Sequence, residues 1–481
     1  MHITFCFYNI FQILSPDLRQ KLAKIDILLY GAPYVTQIYL GYHVLIIKRF
    51  KMKKVLTLTA LSTLLLSTSA MAAGFHLREQ SAAAQGNAYA GATAGAENGS
   101  YAYYNAAGLT RQKGLQVNLG ATYIAPRATA KNVMSESGTR GADVENVVHA
   151  AVSPNGTVSY QLNDRAFAAI AANSPFGMIT KYDRDWIGSD HGITSDLKSG
   201  TITPMFAYKA TDKLSLGAGV QMQYVWAHLT SSHKSSKTGL VTENGNDFDM
   251  GYQLGAMYEF SDATRVGVGY RSEINHKLKG KMKSSGSALS ASDDPRYAAA
   301  GKMADDLMNQ KISAKLTTPA MLSMGVYHDI NEKWAVMAEY QRVFWSSFQN
   351  LTFVGDNLNR PEEGNIAQVK ENWRDTNFYS IGTSYMLDNQ WKLRLGLAYD
   401  QSAVRYAHRT PRIPDSDRIW YSMGLGYQYN ENLSFDMGYT YIKAHSAKMN
   451  SAVTGNDGPS HVSADYSNSV KVFAFSVNYA F

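Results

Sequence analysis

The chain holds 481 residues, with 46 Lys and Arg against 39 Asp and Glu and a single cysteine, Cys6. Eight of the basic residues but only two Asp precede Ala73, so six of the seven net positive charges sit in that leader and the remainder is close to neutral. The basic balance is therefore no ground for expecting a nucleic acid partner, and the position of Cys6 leaves no disulfide or thiol chemistry after Ala73.

Residues 1–51 match no targeting pattern and are expected to be an N-terminal extension outside the working protein, with Met52 as the true start. Met52, Lys53 and Lys54 form a positive region, 55–66 is apolar, and Ala70-Met71-Ala72 is an A-x-A cleavage site. A bilayer-spanning helix needs roughly 20 apolar residues, so this stretch predicts a signal peptide over 52–72. The exported chain would begin at Ala73.

Residues 73–114 come next and are dominated by small side chains, from Ala82, Ala83 and Ala84 to Ala94, Gly95 and Ala96. They have too little bulk for a core of their own. Placed before a large sheet, they are expected to form a small N-terminal hatch inside it.

From residue 115 onward the pattern changes to period two. Leu214, Leu216, Ala218, Val220, Met222, Tyr224 and Trp226 alternate with small or polar residues, as do Phe248, Met250, Tyr252, Leu254, Ala256, Tyr258 and Phe260. Equivalent runs predict strands over 115–126, 150–161, 165–179, 201–209, 214–231, 248–260, 264–277, 318–330, 333–346, 375–387, 390–403, 418–429, 433–445 and 469–481. That is fourteen, an even number. Short polar turns such as Asn163-Asp164, Asn331-Glu332 and Asp388-Asn389 alternate with connections of a dozen residues or more. Short turns on one rim and long loops on the other define an all-β, transmembrane antiparallel β-barrel over 115–481, with the short side periplasmic.

Two features interrupt this regularity. The third strand contains Asn173-Ser174-Pro175-Phe176-Gly177, and Pro cannot donate to a ladder while Gly weakens one, so a break is expected there. The longest loop, 280–315, carries a helical pattern over 297–310 with Met303, Leu307 and Met308 on one side, after Asp293-Asp294-Pro295 as a start signal. Catalytic signatures are lacking: there is no G-x-S-x-G, no H-E-x-x-H and no phosphate-binding glycine loop with Lys. Neither an enzyme nor a cofactor is expected.

Several stretches together resemble the FadL family of outer-membrane transporters for long-chain fatty acids and other hydrophobic compounds. They are Gly74-Phe75-His76-Leu77-Arg78-Glu79-Gln80, Gly86-Asn87-Ala88-Tyr89-Ala90-Gly91, Tyr104-Asn105-Ala106-Ala107-Gly108-Leu109, Tyr270-Arg271-Ser272-Glu273, Trp345-Ser346-Ser347-Phe348, Ile413-Pro414-Asp415-Ser416-Asp417-Arg418 and the closing Tyr479-Ala480-Phe481. The resemblance implies a fourteen-stranded barrel in the outer membrane of a Gram-negative bacterium, its lumen filled by a hatch that includes Phe75, Leu77 and Asn105. It implies passive uptake, with ligand captured by the extracellular loops, passed to a lumen site and released sideways at the kink formed by Pro175, Phe176 and Gly177. Lys370 and Arg374 become candidates to meet a ligand carboxylate. The implied partners are a hydrophobic small molecule, outer-membrane lipid and lipopolysaccharide, and the barrel-assembly machinery acting on the strand that ends at Phe481, for a monomeric protein. The alternatives are a channel for aromatic hydrocarbons and a structural or adhesive surface protein without transport. One departure stands out: where the family carries Asn-Pro-Ala, this chain has Asn105-Ala106-Ala107, which puts the stiffness of that hatch turn in question.

Overall fold

The computed structural model describes residues 74–233, 239–287, 290, 292–355, 365–455 and 458–481, so the expected extension and signal peptide lie outside the described residues. Fourteen strands follow one another around a ring. They are β1 (Leu115–Ser135), β2 (Ala151–Gln161), β3 (Ala166–Asn173 and Gly177–Lys181), β4 (Thr194–Lys209), β5 (Leu214–Ser231), β6 (Leu240–Glu259) and β7 (Thr264–Arg271 and Ile274–Ser285). The second half comprises β8 (Gln310–Thr318 and Met321–Asp329), β9 (Trp334–Val343 and Asn350–Gly355), β10 (Asn365–Lys370 and Thr376–Met386), β11 (Trp391–Asp400), β12 (Arg418–Gln428), β13 (Leu433–Ala444 and Ala447–Gly455) and β14 (Gly458–Ala480). Each pairs antiparallel with the next, and β14 closes on β1 from Gln116 opposite Ala480 to Ser135 opposite Val462. A closed ring has no edge, which is the condition for a sheet to cross lipid.

Alternation sets the two faces. Leu119, Tyr123, Phe206, Val220, Tyr252, Leu254, Ile381, Leu395 and Phe473 are exposed on the outside, whereas Thr122, Ala207, Gln221, Gln253 and Ser476 are buried on the inside. The short turns share one chemistry: Asn163, Asn331, Asp388 and Asn430 each accept, through Oδ1, hydrogen bonds from the backbone N–H groups two and three residues on. Beside them stand the ring pairs Tyr258–Phe260, Trp334–Tyr385, Trp391–Tyr427 and Tyr479–Phe481, an aromatic girdle on the short-turn rim.

The strands run further on the long-loop side than their alternation indicates. β1 continues to Ser135 rather than 126, β6 starts at Leu240 rather than 248, and β14 starts at Gly458 rather than 469. The expected 280–315 loop is correspondingly shorter, because Gly280 to Ser285 and Gln310 to Lys315 belong to paired strands. Its helix is α3, Pro295–Met308, capped by the Asp294 side chain, which accepts from Arg296 N. Met303 is exposed to solvent, while Met308 packs on Leu229, Met282, Ile312 and Phe353.

Residues 74–112 are buried almost throughout and touch most of the ring. Two short helices, α1 (Ala82–Gly86) and α2 (Ala92–Gly95), are followed by 3-10 turns Gly99–Tyr103 and Ala106–Arg111. The wall yields space for them by omission of side chains. A Cβ on Gly217, Gly255, Gly267, Gly269, Gly396 or Gly424 would run into Ala107, Asn105, Thr93, Tyr104, Asn87 or Gly86 respectively, so the two backbones approach as closely as atoms allow. Charges complete the attachment. Arg394 bridges Glu97 at 2.7 Å and Asp436 at 3.0 Å, and Arg265 donates to the carbonyls of Ala94 and Gly95 at 2.7 and 2.9 Å.

Candidate functional site

The third strand is broken at Ser174–Phe176. Asn173 faces Thr201 of β4 and Gly177 faces Lys198, so four steps along β3 are matched by three along β4, and one residue bulges. Ser199 holds the bulge: its Oγ accepts from Phe176 N at 2.8 Å, its N–H donates to Phe176 O at 3.0 Å, and Ser174 Oγ donates to its carbonyl at 2.7 Å. On the other side of β3, the ladder with β2 ends at Gly156 opposite Ala172 and resumes only as a single bridge between Val148 and Thr180. Between those points the two strands share no ladder pair among the described residues. The inward face of β2 along this seam carries the buried polar residues Ser153 and Asn155.

The N-terminal segment fills the inner side of the break. Leu77 N donates to Pro175 O at 2.7 Å, Gly177 N donates to Phe75 O at 2.8 Å, and His76 and Phe176 form an isolated bridge. Gln80 adds three contacts, donating to Ser174 O and accepting from Asn173 Nδ2 and Ser174 N. Thus Phe75 and Leu77 of the N-terminal segment meet Pro175, Phe176 and Gly177 directly. Gly74, at φ 62°, supplies the turn that leads into this segment. A Cβ there would lie 2.6 Å from the Trp373 ring, so no larger residue fits.

The Phe75 side chain faces a different compartment. It sits in an aromatic nest with ring centroids 4.7 Å from Trp345, 5.5 Å from Trp373, 5.7 Å from Phe348 and 6.0 Å from Phe176. Above it opens a cavity with about 740 Å³ of empty space, counting the part open at its mouth, and walls of Met178, Leu197, Leu229, Leu278, Leu316 and Phe353. Three charged residues line it: Glu243, Glu371 and Arg412. Arg412 Nη1 donates to Thr194 O and Ser195 Oγ, both at 2.9 Å. Burial lowers the Arg412 guanidinium from its ordinary value, and Glu243 and Glu371 pull it back up, so it stays charged. Burial pushes the Glu371 carboxyl up to about 7, against the hydrogen bond it accepts from Trp373 Nε1 at 2.9 Å.

Lys370 and Arg374 do not share this arrangement. Both are exposed, neither lines the cavity, and Arg374 is engaged by Ser402 O and Asp417. The cation at the cavity is Arg412, six residues before Arg418 and just ahead of the Ile413-Pro414-Asp415 stretch. Asn105 lies apart from the break, farther along the buried N-terminal segment. Its Oδ1 accepts from Ala107 N at 3.0 Å and its Nδ2 donates to the carbonyls of Thr93 and Ala256. The turn with Ala106 in place of Pro is therefore fixed from its asparagine rather than by a ring.

The family described as outer membrane protein transport protein (OMPP1/FadL/TodX) matches residues 63–481. Outer membrane protein P1 of Haemophilus influenzae is 30% identical, over 88% of this chain and 99% of its own length. The long-chain fatty acid transport protein of Escherichia coli K12 is 28% identical, over 88% and 97%. Among solved structures, a Pseudomonas aeruginosa FadL homologue superposes with a TM-score of 0.77 at 24% identity, covering 85% of this chain and all of that one. The Ralstonia pickettii toluene transporter TbuX reaches 0.60 at 18% identity, covering 85% and 99%.

Proposed function

The chain belongs to the outer-membrane transport family OMPP1/FadL/TodX, and on that premise we propose that it takes up long-chain fatty acids passively and releases them sideways into the bilayer. The observation that carries this reading is that one short segment serves both compartments. The Phe75 ring floors the apolar cavity while the Phe75 and Leu77 backbones hydrogen-bond the broken strand. A ligand that pushes the ring aside strains the two bonds to Pro175 and Gly177. The β2–β3 seam then loses its inner support, and the backbone freed there faces polar groups such as Ser153 and Asn155 rather than bare hydrocarbon.

Capture needs no energy source. Apolar area removed from water contributes roughly 25 cal/mol per Å², so an alkyl chain entering a cavity walled by leucines and phenylalanines is drawn in by burial alone. Net flux then follows the gradient. Residues 82–112 act in this reading as the fixed body of the hatch, and residues 74–80 as its moving part.

Arg412 favours a ligand with a carboxylate over an uncharged hydrocarbon, because a charged donor in apolar surroundings makes a strong hydrogen bond to an anion. Arg412→Gln should weaken oleate binding to the detergent-purified protein by roughly tenfold or more, the worth of one charge-assisted hydrogen bond, and leave toluene binding unchanged. Glu243 and Glu371 set the pH dependence. Burial pushes both carboxyls up to about 7, so they are neutral below it and ionise above it, where they compete with the ligand for Arg412, and oleate affinity should fall as pH rises through 7. Glu243→Gln combined with Glu371→Gln should flatten that profile. Equal oleate affinity in wild type and Arg412→Gln would remove the headgroup contact and leave the aromatic-hydrocarbon reading as the better one. Uptake of labelled oleate and labelled toluene into proteoliposomes tests transport itself.

A further inference from the structure

The long-loop half of β7 reads Ile274-Asn275-His276-Lys277-Leu278-Lys279-Gly280-Lys281-Met282-Lys283. Ile274, His276, Leu278 and Met282 are buried, so Lys277, Lys279, Lys281 and Lys283 all stand on the outside of the wall. The neighbouring β8 adds Lys311 and Lys315, also exposed, and the register sets Lys311 directly opposite Lys281 and Lys315 directly opposite Lys277. Like charges facing each other across an antiparallel pair destabilise a sheet, and six lysines on two strands carry that cost twice.

Among the described residues nothing neutralises them. On the other flank, β6 offers Asn246, Asn244 and Thr242 opposite Lys279, Lys281 and Lys283. Glu243 turns into the ligand cavity, Asp247 binds the His276 ring and the Lys277 backbone, and Asp305 is held by Ser284 and Ser287. Glu273, exposed below the row, accepts from Asn275. None of the six lysines makes an ion pair among the described residues. A polar groove lies over the patch, lined by Thr242, Lys281, Lys283, Asn309, Gln310 and Lys311.

Height on the wall identifies the occupant. Lower on the same outward face of β7 come Val266, Val268 and Tyr270, and the Tyr252–Tyr270 ring pair marks the end of the lipid-facing stretch. The lysines follow on the long-loop side, at the level of the headgroups of the outer leaflet. In a Gram-negative outer membrane that layer is a phosphorylated glycolipid, and clustered lysines beside a membrane surface are a phosphate-binding arrangement.

We propose that Lys277, Lys279, Lys281, Lys283, Lys311 and Lys315 form a docking site for the phosphorylated saccharide of outer-leaflet lipopolysaccharide. The site is separate from the ligand cavity, since the same strand turns Leu278 inward and its lysines outward. It depends on the outer-membrane location and on no assumption about the transported molecule.

The test is a titration of the detergent-purified chain with rough lipopolysaccharide and with the same material stripped of phosphate by hydrofluoric acid, at physiological ionic strength. Wild type should bind the phosphorylated form selectively. The Lys277→Gln, Lys279→Gln, Lys281→Gln, Lys283→Gln quadruple variant should bind it roughly tenfold more weakly or worse, given the contribution of each lysine near an anionic surface. Arginine at the same four positions should preserve binding. Oleate binding and heat-modifiable gel migration report that the variants are folded; should the quadruple variant fail to fold, Lys311→Gln with Lys315→Gln, on the other strand, tests the same patch. Wild-type affinity in the folded glutamine variant, equal binding of the dephosphorylated glycolipid, or equal binding to phosphatidylglycerol vesicles would each overturn the proposal.

Discussion

Gly396→Val should turn a closed barrel into an ion-conducting one. A Cβ at this position would lie 2.6 Å from Ala88 N and closer still to the Asn87 carbonyl group, all backbone atoms of the N-terminal segment that cannot swing aside as a side chain would. Overpacking of this kind costs about 1–3 kcal/mol even where neighbours can relax. Valine is at the same time a better strand residue than glycine, so the wall itself should still form. The strain falls on the N-terminal segment. Asn87 is held there by hydrogen bonds from its Nδ2 to the carbonyls of Thr383 and Leu395, and these must lengthen or break. Planar-bilayer recordings should show conductance well above wild type, and saturable oleate uptake should fall. Leu395→Val, one position away on the lipid face, should change neither. Unaltered conductance in a folded Gly396→Val protein would mean that residues 82–112 are not what closes the lumen.

The second large effect is expected at the broken strand. Pro175→Val combined with Gly177→Thr restores a backbone donor at 175 and places a β-branched side chain at 177, both of which favour a continuous ladder. The cavity walls are untouched apart from their floor at Phe75, so oleate binding to purified protein should persist. Transport into cells or proteoliposomes should drop several-fold or more, by the reasoning that a continuous ladder leaves no seam for exit. Transport at the wild-type rate from a variant whose β2–β3 ladder is shown to be complete would remove lateral exit and favour a route past the hatch to the periplasm.

The alternation of side chains is a property of the extended backbone itself, and lipid on one face preserves it, so the membrane-crossing part of each strand is legible residue by residue. β5 falls on Leu214–Ser231 as its period indicates, and the Asn and Asp turns mark the short-turn ends because one side chain there caps two backbone groups. The small-residue N-terminal stretch, the break beside Pro175 and the family membership were readable for similar reasons, each being written in consecutive residues.

Beyond the lipid that constraint ends. Residues 240–247 and 458–468 lie beyond the apolar lipid-facing stretch, their outward positions are free to be polar, and the period that reveals a strand disappears although the ladder continues. The site was decided at still longer range. Phe75 meets Phe176 and Trp345 across stretches of chain that carry no mutual signal, and Arg412 rather than Lys370 or Arg374 reaches the cavity because of how the β11–β12 connection folds inward over Thr194. Facing is a matter of one residue in or out. The sequence determined which segments cross the lipid as strands and that a small-residue stretch precedes them, since backbone period and composition are local. Which cation lines the cavity, and which backbone supports the seam, depends on contacts between distant parts of the ring, and only the closed tertiary structure decides them.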